Sequence, residues 1–250
     1  MRILPVLDLQ RGVVVRAVRG RRSEYRPLQS ALCASCRPLE VALALRSRFG
    51  FQDLYLADLD AIAGGPPALA IYRALLDQGF QLWVDPGASD RRAAESVMSP
   101  GLARRLVVGS ETLASVADLR AMLRDWGEER ILFSLDMYDG RPIARCEAWR
   151  SAPPESVLAD ALAAGVDQVL LLDLARVGAG EGVGAEALAR RALGRADPPE
   201  IYVGGGVRGP SDLQALERLG VAGVLVASAL HDGRLQPTDL DWPGRRRRVY

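Results

Sequence analysis

Residues 131–137 read ILFSLDM, a hydrophobic run broken near its end by Asp136, and residues 3–9 read ILPVLDL, broken the same way by Asp8. The likeness continues outward from these two stretches. YLADLDAIAG (55–64) has a counterpart in LLLDLARVGAG (170–180), LWVDPG (82–87) in IYVGGG (201–206), and LVVGSETL (106–113) in VLVASAL (224–230). The matches keep one order along the chain, so the sequence is built from two similar halves. Eight such runs occur, at residues 3–9, 53–60, 81–87, 105–110, 131–137, 168–174, 201–206 and 223–228. Each is nearly continuous in apolar residues, as expected of parallel strands buried on both faces. Helical patterns such as PLEVALALRSRFG, SVADLRAMLRDWG and PSDLQALERLG lie between them, and several close on glycine. Eight strand–helix units in this length predict a single α/β domain over residues 1–250, a (β/α)8 barrel with a half-barrel repeat. A doubly wound sheet is the rival, and it rarely shows eight units so evenly spaced.

Composition removes several kinds of chemistry. With 49% hydrophobic and 25% charged residues the chain is neither disordered nor fibrous. A net charge of +1 argues against nucleic acid or a membrane surface as partner. The chain contains no lysine, so Schiff-base catalysis, pyridoxal phosphate anchoring and a phosphate-loop lysine are excluded. Its one histidine, His231, rules out multi-histidine metal sites, and neither metal nor cofactor is expected. Cys33 and Cys36 form a C-x-x-C without a second pair, and with Cys146 the count is odd. They read as incidental thiols rather than a redox pair or zinc site. The start lacks a signal-peptide pattern and no apolar run reaches membrane-spanning length, so a cytoplasmic protein is expected.

Polar residues gather at the ends of the runs: Asp8, Asp58, Asp85, Ser110, Asp136, Asp173, Gly204 to Gly206 and Ser228. In a barrel those ends form the face where active sites are built. Asp, Gly and Ser also favour turns, a reading that explains Asp8 and Asp136 least well. These two end the first and fifth strands, which face each other, and suit the roles of general base and general acid. The glycine run of the seventh strand, with the next strand end, marks Gly205, Gly206, Ala227 and Ser228 as a phosphate cradle. The matching place in the first half carries Asp85, Pro86 and Glu111, which repel an anion or lack a donor. It takes a neutral or cationic group, or is structural. Arg11, Arg16, Arg19, Arg21, Arg22 and Arg26 follow the first strand, either as a lid over an anionic substrate or as a solvated loop. Arg16, Arg19, Trp149, Asp173, Asp58 and Asp85 complete the candidate substrate contacts, while the run Arg245 to Arg248 reads as a solvated tail.

Together these motifs resemble the HisA/HisF family, the (β/α)8 barrels of histidine biosynthesis, over almost the whole chain. The likeness is nearer the HisA side, an aminoaldose isomerase that opens a ribose by an Amadori rearrangement without a cofactor. Its substrate is a ribonucleotide-like imidazole carboxamide with two phosphates. The resemblance matches that enzyme's two aspartates to Asp8 and Asp136 and its loop-five tryptophan to Trp149. It also exposes departures. The family's first Gly-Gly-Gly is Asp85-Pro86-Gly87 here, and its strand-six Thr or Ser with a D-G-T turn is replaced by Leu172 to Ala179. The expected function is an isomerase-like reaction on a phosphorylated small molecule. The alternatives are a step in the synthesis of one-carbon carrier coenzymes of the tetrahydromethanopterin or methanofuran type, or a non-catalytic assembly barrel. The oligomeric state is left open.

Overall fold

A computed structural model describes residues 1–240, and in it all eight runs are strands: β1 (Arg2–Gln10), β2 (Asp53–Asp58), β3 (Gln81–Asp85), β4 (Arg105–Gly109), β5 (Ile131–Tyr138), β6 (Gln168–Asp173), β7 (Glu200–Gly204) and β8 (Gly223–Val226). Each pairs in parallel with its neighbours in the chain. β8 returns to β1 through Arg2↔Gly223, Ile3↔Val224, Leu4↔Leu225 and Pro5↔Val226. The sheet therefore closes on itself and leaves no edge. Helices follow the strands in turn: α1 (Pro38–Phe49), α2 (Leu69–Asp77), α3 (Arg91–Met98), α4 (Val116–Trp126), α5 (Pro154–Ala163), α6 (Glu186–Leu193), α7 (Pro210–Leu219) and the single turn α8 (Ser228–His231). Local chemistry sets their ends. Asp90 and Ser115 cap α3 and α4 through the amides of Ala93 and Asp118, and α1 and α7 stop at Gly50 and Gly220 in the left-handed region. Among the described residues no helix is long and apolar enough to cross a membrane. The Arg245 to Arg248 run lies outside the described residues.

Two apolar layers follow from the period-two alternation of each strand. Leu4, Tyr55, Trp83, Val107, Leu132, Leu170, Tyr202 and Leu225, one from each strand, pack inside the barrel. Their chain neighbours, among them Ile3, Leu54, Leu56, Val84 and Phe133, pack outward against the helices. The interior floor is aromatic. Trp83 and Tyr202, at matching places in the two halves, meet edge to face at 5.3 Å, and the Arg105 guanidinium lies 4.2 Å from the Trp83 ring centre. Parity also sorts the strand-end aspartates. Asp8, Asp85 and Asp136 share the inward parity of Leu4, Trp83 and Leu132. Asp58 and Asp173 share the outward parity of Leu56 and Leu171.

The arginine-rich segment is ordered over the barrel mouth. Val13–Arg16 runs back antiparallel on β1 with Val15 opposite Asp8, and Arg26–Pro27 pairs with it in turn. Three ion pairs tie the segment down: Arg16 to Asp232 after β8, Arg19 to Glu181 after β6, and Arg22 to Glu111 after β4.

Candidate active site

One cavity opens at the C-terminal ends of the strands, beneath that segment, and Asp8, Asp85, Glu111 and Asp136 all line it. Ser134, one residue pair below Asp136 on β5, donates its hydroxyl to Oδ1 at 2.7 Å. Gly109 makes room for the group. A Cβ there would stand 2.8 Å from Asp136 Oδ2, so any side chain would push that carboxyl aside, while Asp85 Oδ2 lies in ordinary contact at 3.7 Å. Burial raises Asp8 to about 7, with Arg22 drawing it back toward ionisation. Burial also raises Asp85 to about 7, against the pull of the Gly87 amide and with the push of Glu111. Asp136 lies well above the ordinary carboxylate range, through burial first and then the charges of Glu111 and Asp85. The result is one carboxyl held well above its ordinary range and another brought to about neutrality, which suits an acid and a base.

The opposite side of the cavity differs in charge. Arg16 and Arg234 line it and both hold Asp232, Arg16 through two bonds of 2.7 Å and Arg234 through one of 3.2 Å. His231 accepts or donates at 3.0 Å with the Ser30 hydroxyl, and burial lowers it to about 4, so it is neutral. Gly205, Gly206, Ala227 and Ser228 line this side as expected from their sequence positions. The amides of Gly206 and Ser228 meet no protein acceptor among the described residues. At the equivalent place in the first half, the Ser110 amide donates to Ser134 O at 2.8 Å and the Gly87 amide to Asp85 Oδ1 at 3.0 Å. Pro86 has no amide to give. One half-barrel thus keeps backbone donors open and the other has closed them.

Four of the sequence candidates sit elsewhere. Asp58 is buried outside the cavity, where it accepts from the amides of Ala61 (3.2 Å) and Ala68 (2.7 Å) and the Tyr72 hydroxyl (2.5 Å). Asp173, its counterpart, accepts from the amides of Asp139, Gly140 and Ala175 at 3.0 to 3.1 Å. Both aspartates hold loops rather than face the cavity, as their outward parity requires. Trp149 is fully buried in the helical layer, with its indole donating to Asp160 at 2.9 Å and its ring against Phe133. Arg19 is held by Glu181 and is not among the cavity's lining residues. Conversely, the structure brings in Tyr25, Tyr55, Arg22 and Arg234, of which the sequence singles out only Arg22, as part of a loop. Tyr55 was legible by parity, because it is two residues before Ala57 on the inward face of β2. Replacing Asp58 by alanine strands the Tyr72 hydroxyl and two amides, and is expected to lower unfolding free energy by about 2–3 kcal/mol. A shifted urea midpoint with unchanged ligand binding would confirm the structural assignment, and an unshifted midpoint would refute it.

Comparison with known proteins adds an independent line. The family model for the histidine biosynthesis protein matches residues 2–236. An uncharacterized protein of Methanocaldococcus jannaschii is 33% identical, over 94% of this chain and 95% of its own. The 1-(5-phosphoribosyl)-5-((5-phosphoribosylamino)methylideneamino) imidazole-4-carboxamide isomerase of Thermus thermophilus is 32% identical, over 97% of this chain and 99% of its own. The isomerase of the same name from Rhodospirillum centenum is 31% identical, over 95% and 94%.

Proposed function

Because this chain belongs to the histidine biosynthesis protein family, we propose that it is a cofactor-independent isomerase acting by aspartate acid–base chemistry on a phosphorylated, ribose-derived small molecule. The observation that carries this is the meeting of Asp8 and Asp136, from strands on opposite sides of the barrel, in one cavity at its mouth. With an aminoaldose bound there, Asp136 protonates the ring oxygen and the ring opens to an iminium ion. Asp8 then removes the proton from the adjacent carbon, and the resulting enol settles to the aminoketose. The atoms of substrate and product are the same, and the two carboxyls exchange protons with it. The substrate phosphate is held by the open amides of Gly206 and Ser228, with Gly205 and Ala227 shaping the turn. The names of the relatives above give no support to a role in one-carbon coenzyme synthesis.

Deuterium wash-in tests the chemistry. In D2O, a phosphorylated aminoaldose turned over by this enzyme gives an aminoketose with deuterium on the amine-bearing carbon, and no deuterium incorporation with any such sugar would refute the reading. The asymmetry of the halves gives a second expected result. Sulfate should occupy the Gly206–Ser228 side alone, and the chain should not restore growth without histidine to a strain lacking the two-phosphate isomerase. Robust growth, or sulfate on both sides, would show that the first half still takes a phosphate.

A further inference from the structure

The acidic side of the cavity has more carboxyl groups than the chain pairs with cations. Asp8, Asp85, Glu111 and Asp136 face it, and Arg22, the cation that reaches them, is committed to Glu111 at 2.7 Å. Arg16 and Arg234 are tied to Asp232 on the other side. A second observation points to a ligand. Tyr55 is only 3% exposed, lines the cavity among these carboxylates, and its hydroxyl has no protein partner among the described residues. Tyr25, at 8% exposed, is in the same position. Both hydroxyls open on the cavity rather than on a protein partner, and two such groups on one wall mark where a donor or acceptor of a bound molecule fits. Among the described residues no group of three or more His, Cys, Asp or Glu side chains is placed to hold a metal ion.

From this geometry we infer that the Asp8–Asp85–Asp136 side, with Tyr55 and Tyr25, binds a cationic nitrogen of the substrate, a protonated amine or amidine. The ligand class is then a phosphorylated molecule with a positive nitrogen at its far end. The inference rests on the phosphate reading for the other end, and extends it by assigning the first half-barrel. Asp85, at the place that Gly204 holds in the second half, thereby makes the first half a cation pocket opposite the anion pocket of the second. An ammonium group donates to Asp85 and to the Tyr55 oxygen, and holds Asp85 in its charged form, which a polyol of the same size would not do.

Calorimetry with matched probes decides it. ω-Aminoalkyl phosphates of increasing chain length are compared at pH 7 with the ω-hydroxyalkyl phosphates of the same length, alongside inorganic phosphate and butylammonium ion. At the best-fitting length the amine is expected to bind about tenfold to a hundredfold tighter than its hydroxyl partner. Asp85→Asn and Tyr55→Phe should each shrink that preference while leaving inorganic phosphate binding unchanged. Equal affinity of amine and alcohol at every length overturns the cation site even if inorganic phosphate binds. Failure of inorganic phosphate to bind removes the phosphate reading instead. In that event butylammonium decides, with binding weakened by both variants supporting the cation site and absence of binding overturning it.

Discussion

Asp8→Asn and Asp136→Asn are each expected to reduce turnover by about a hundredfold to ten-thousandfold, the range contributed by a positioned carboxyl in proton transfer. The amides are nearly isosteric with the acids. In the Asp136→Asn variant the side-chain carbonyl can still accept the Ser134 hydroxyl that now holds Asp136 Oδ1 at 2.7 Å. Loss of activity would therefore reflect loss of a titrating group rather than of shape. The two variants should also differ in their pH behaviour. Asp8 must be ionised to act as base, and with its ionisation at about 7 the wild-type kcat/KM is expected to rise as pH passes through neutrality. Asp8→Asn should flatten that limb in its residual activity, whereas Asp136→Asn should keep it. Near-wild-type turnover in both variants would end the acid–base assignment.

The barrel was legible because two levels of pattern agreed. The near-continuous apolar runs gave the eight strands, and the repeat of ILPVLDL in ILFSLDM gave their arrangement in halves. The strand-end aspartates were less well separated by position alone, since Asp8, Asp58, Asp85, Asp136 and Asp173 all close an apolar run. What sorts them is parity. A one-residue step along β2 turns a side chain from the barrel interior to the helical layer. Asp58 therefore binds Tyr72 and two amides of its own loop, while Asp85 enters the cavity. Reading YLADLD with period two places Tyr55 and Ala57 inward and Asp58 outward, and extracts from the sequence both the structural aspartate and the cavity tyrosine.

Other features were not written in local pattern. The pairing of Arg16 with Asp232, 216 positions apart, and of Arg22 with Glu111, 89 apart, depends on where loops meet over the closed barrel. The charge of the segment was visible in its six arginines, but not which carboxylates would hold them. Trp149, matched by resemblance to the family's loop-five tryptophan, is held in this structure by Phe133 and Asp160 in the packing behind β5, contacts that no local pattern shows.

Asp85→Asn is expected to stabilise the folded protein, increasingly as the solution becomes alkaline. The folded barrel holds Asp85 at about 7 against an ordinary value of 3.8, because burial disfavours its charged form and Glu111 adds repulsion. A carboxyl raised in the folded state favours folding fully only below its unfolded value. That contribution is lost as pH climbs through the interval, because the unfolded chain releases its proton first. Wild-type stability should therefore fall between about pH 4 and pH 7 and level off above. Asparagine has no proton to lose and keeps the carbonyl that accepts the Gly87 amide. At pH 8 the variant is expected to exceed the wild type by on the order of 2–4 kcal/mol, and by little at pH 4. Urea midpoints measured at the two pH values decide the matter, and parallel curves would show that Asp85 is solvated rather than enclosed. The same substitution is expected to weaken the hold on a cationic ligand, so a gain in stability with a loss in affinity would mark Asp85 as a residue kept at some cost to the fold for what it binds.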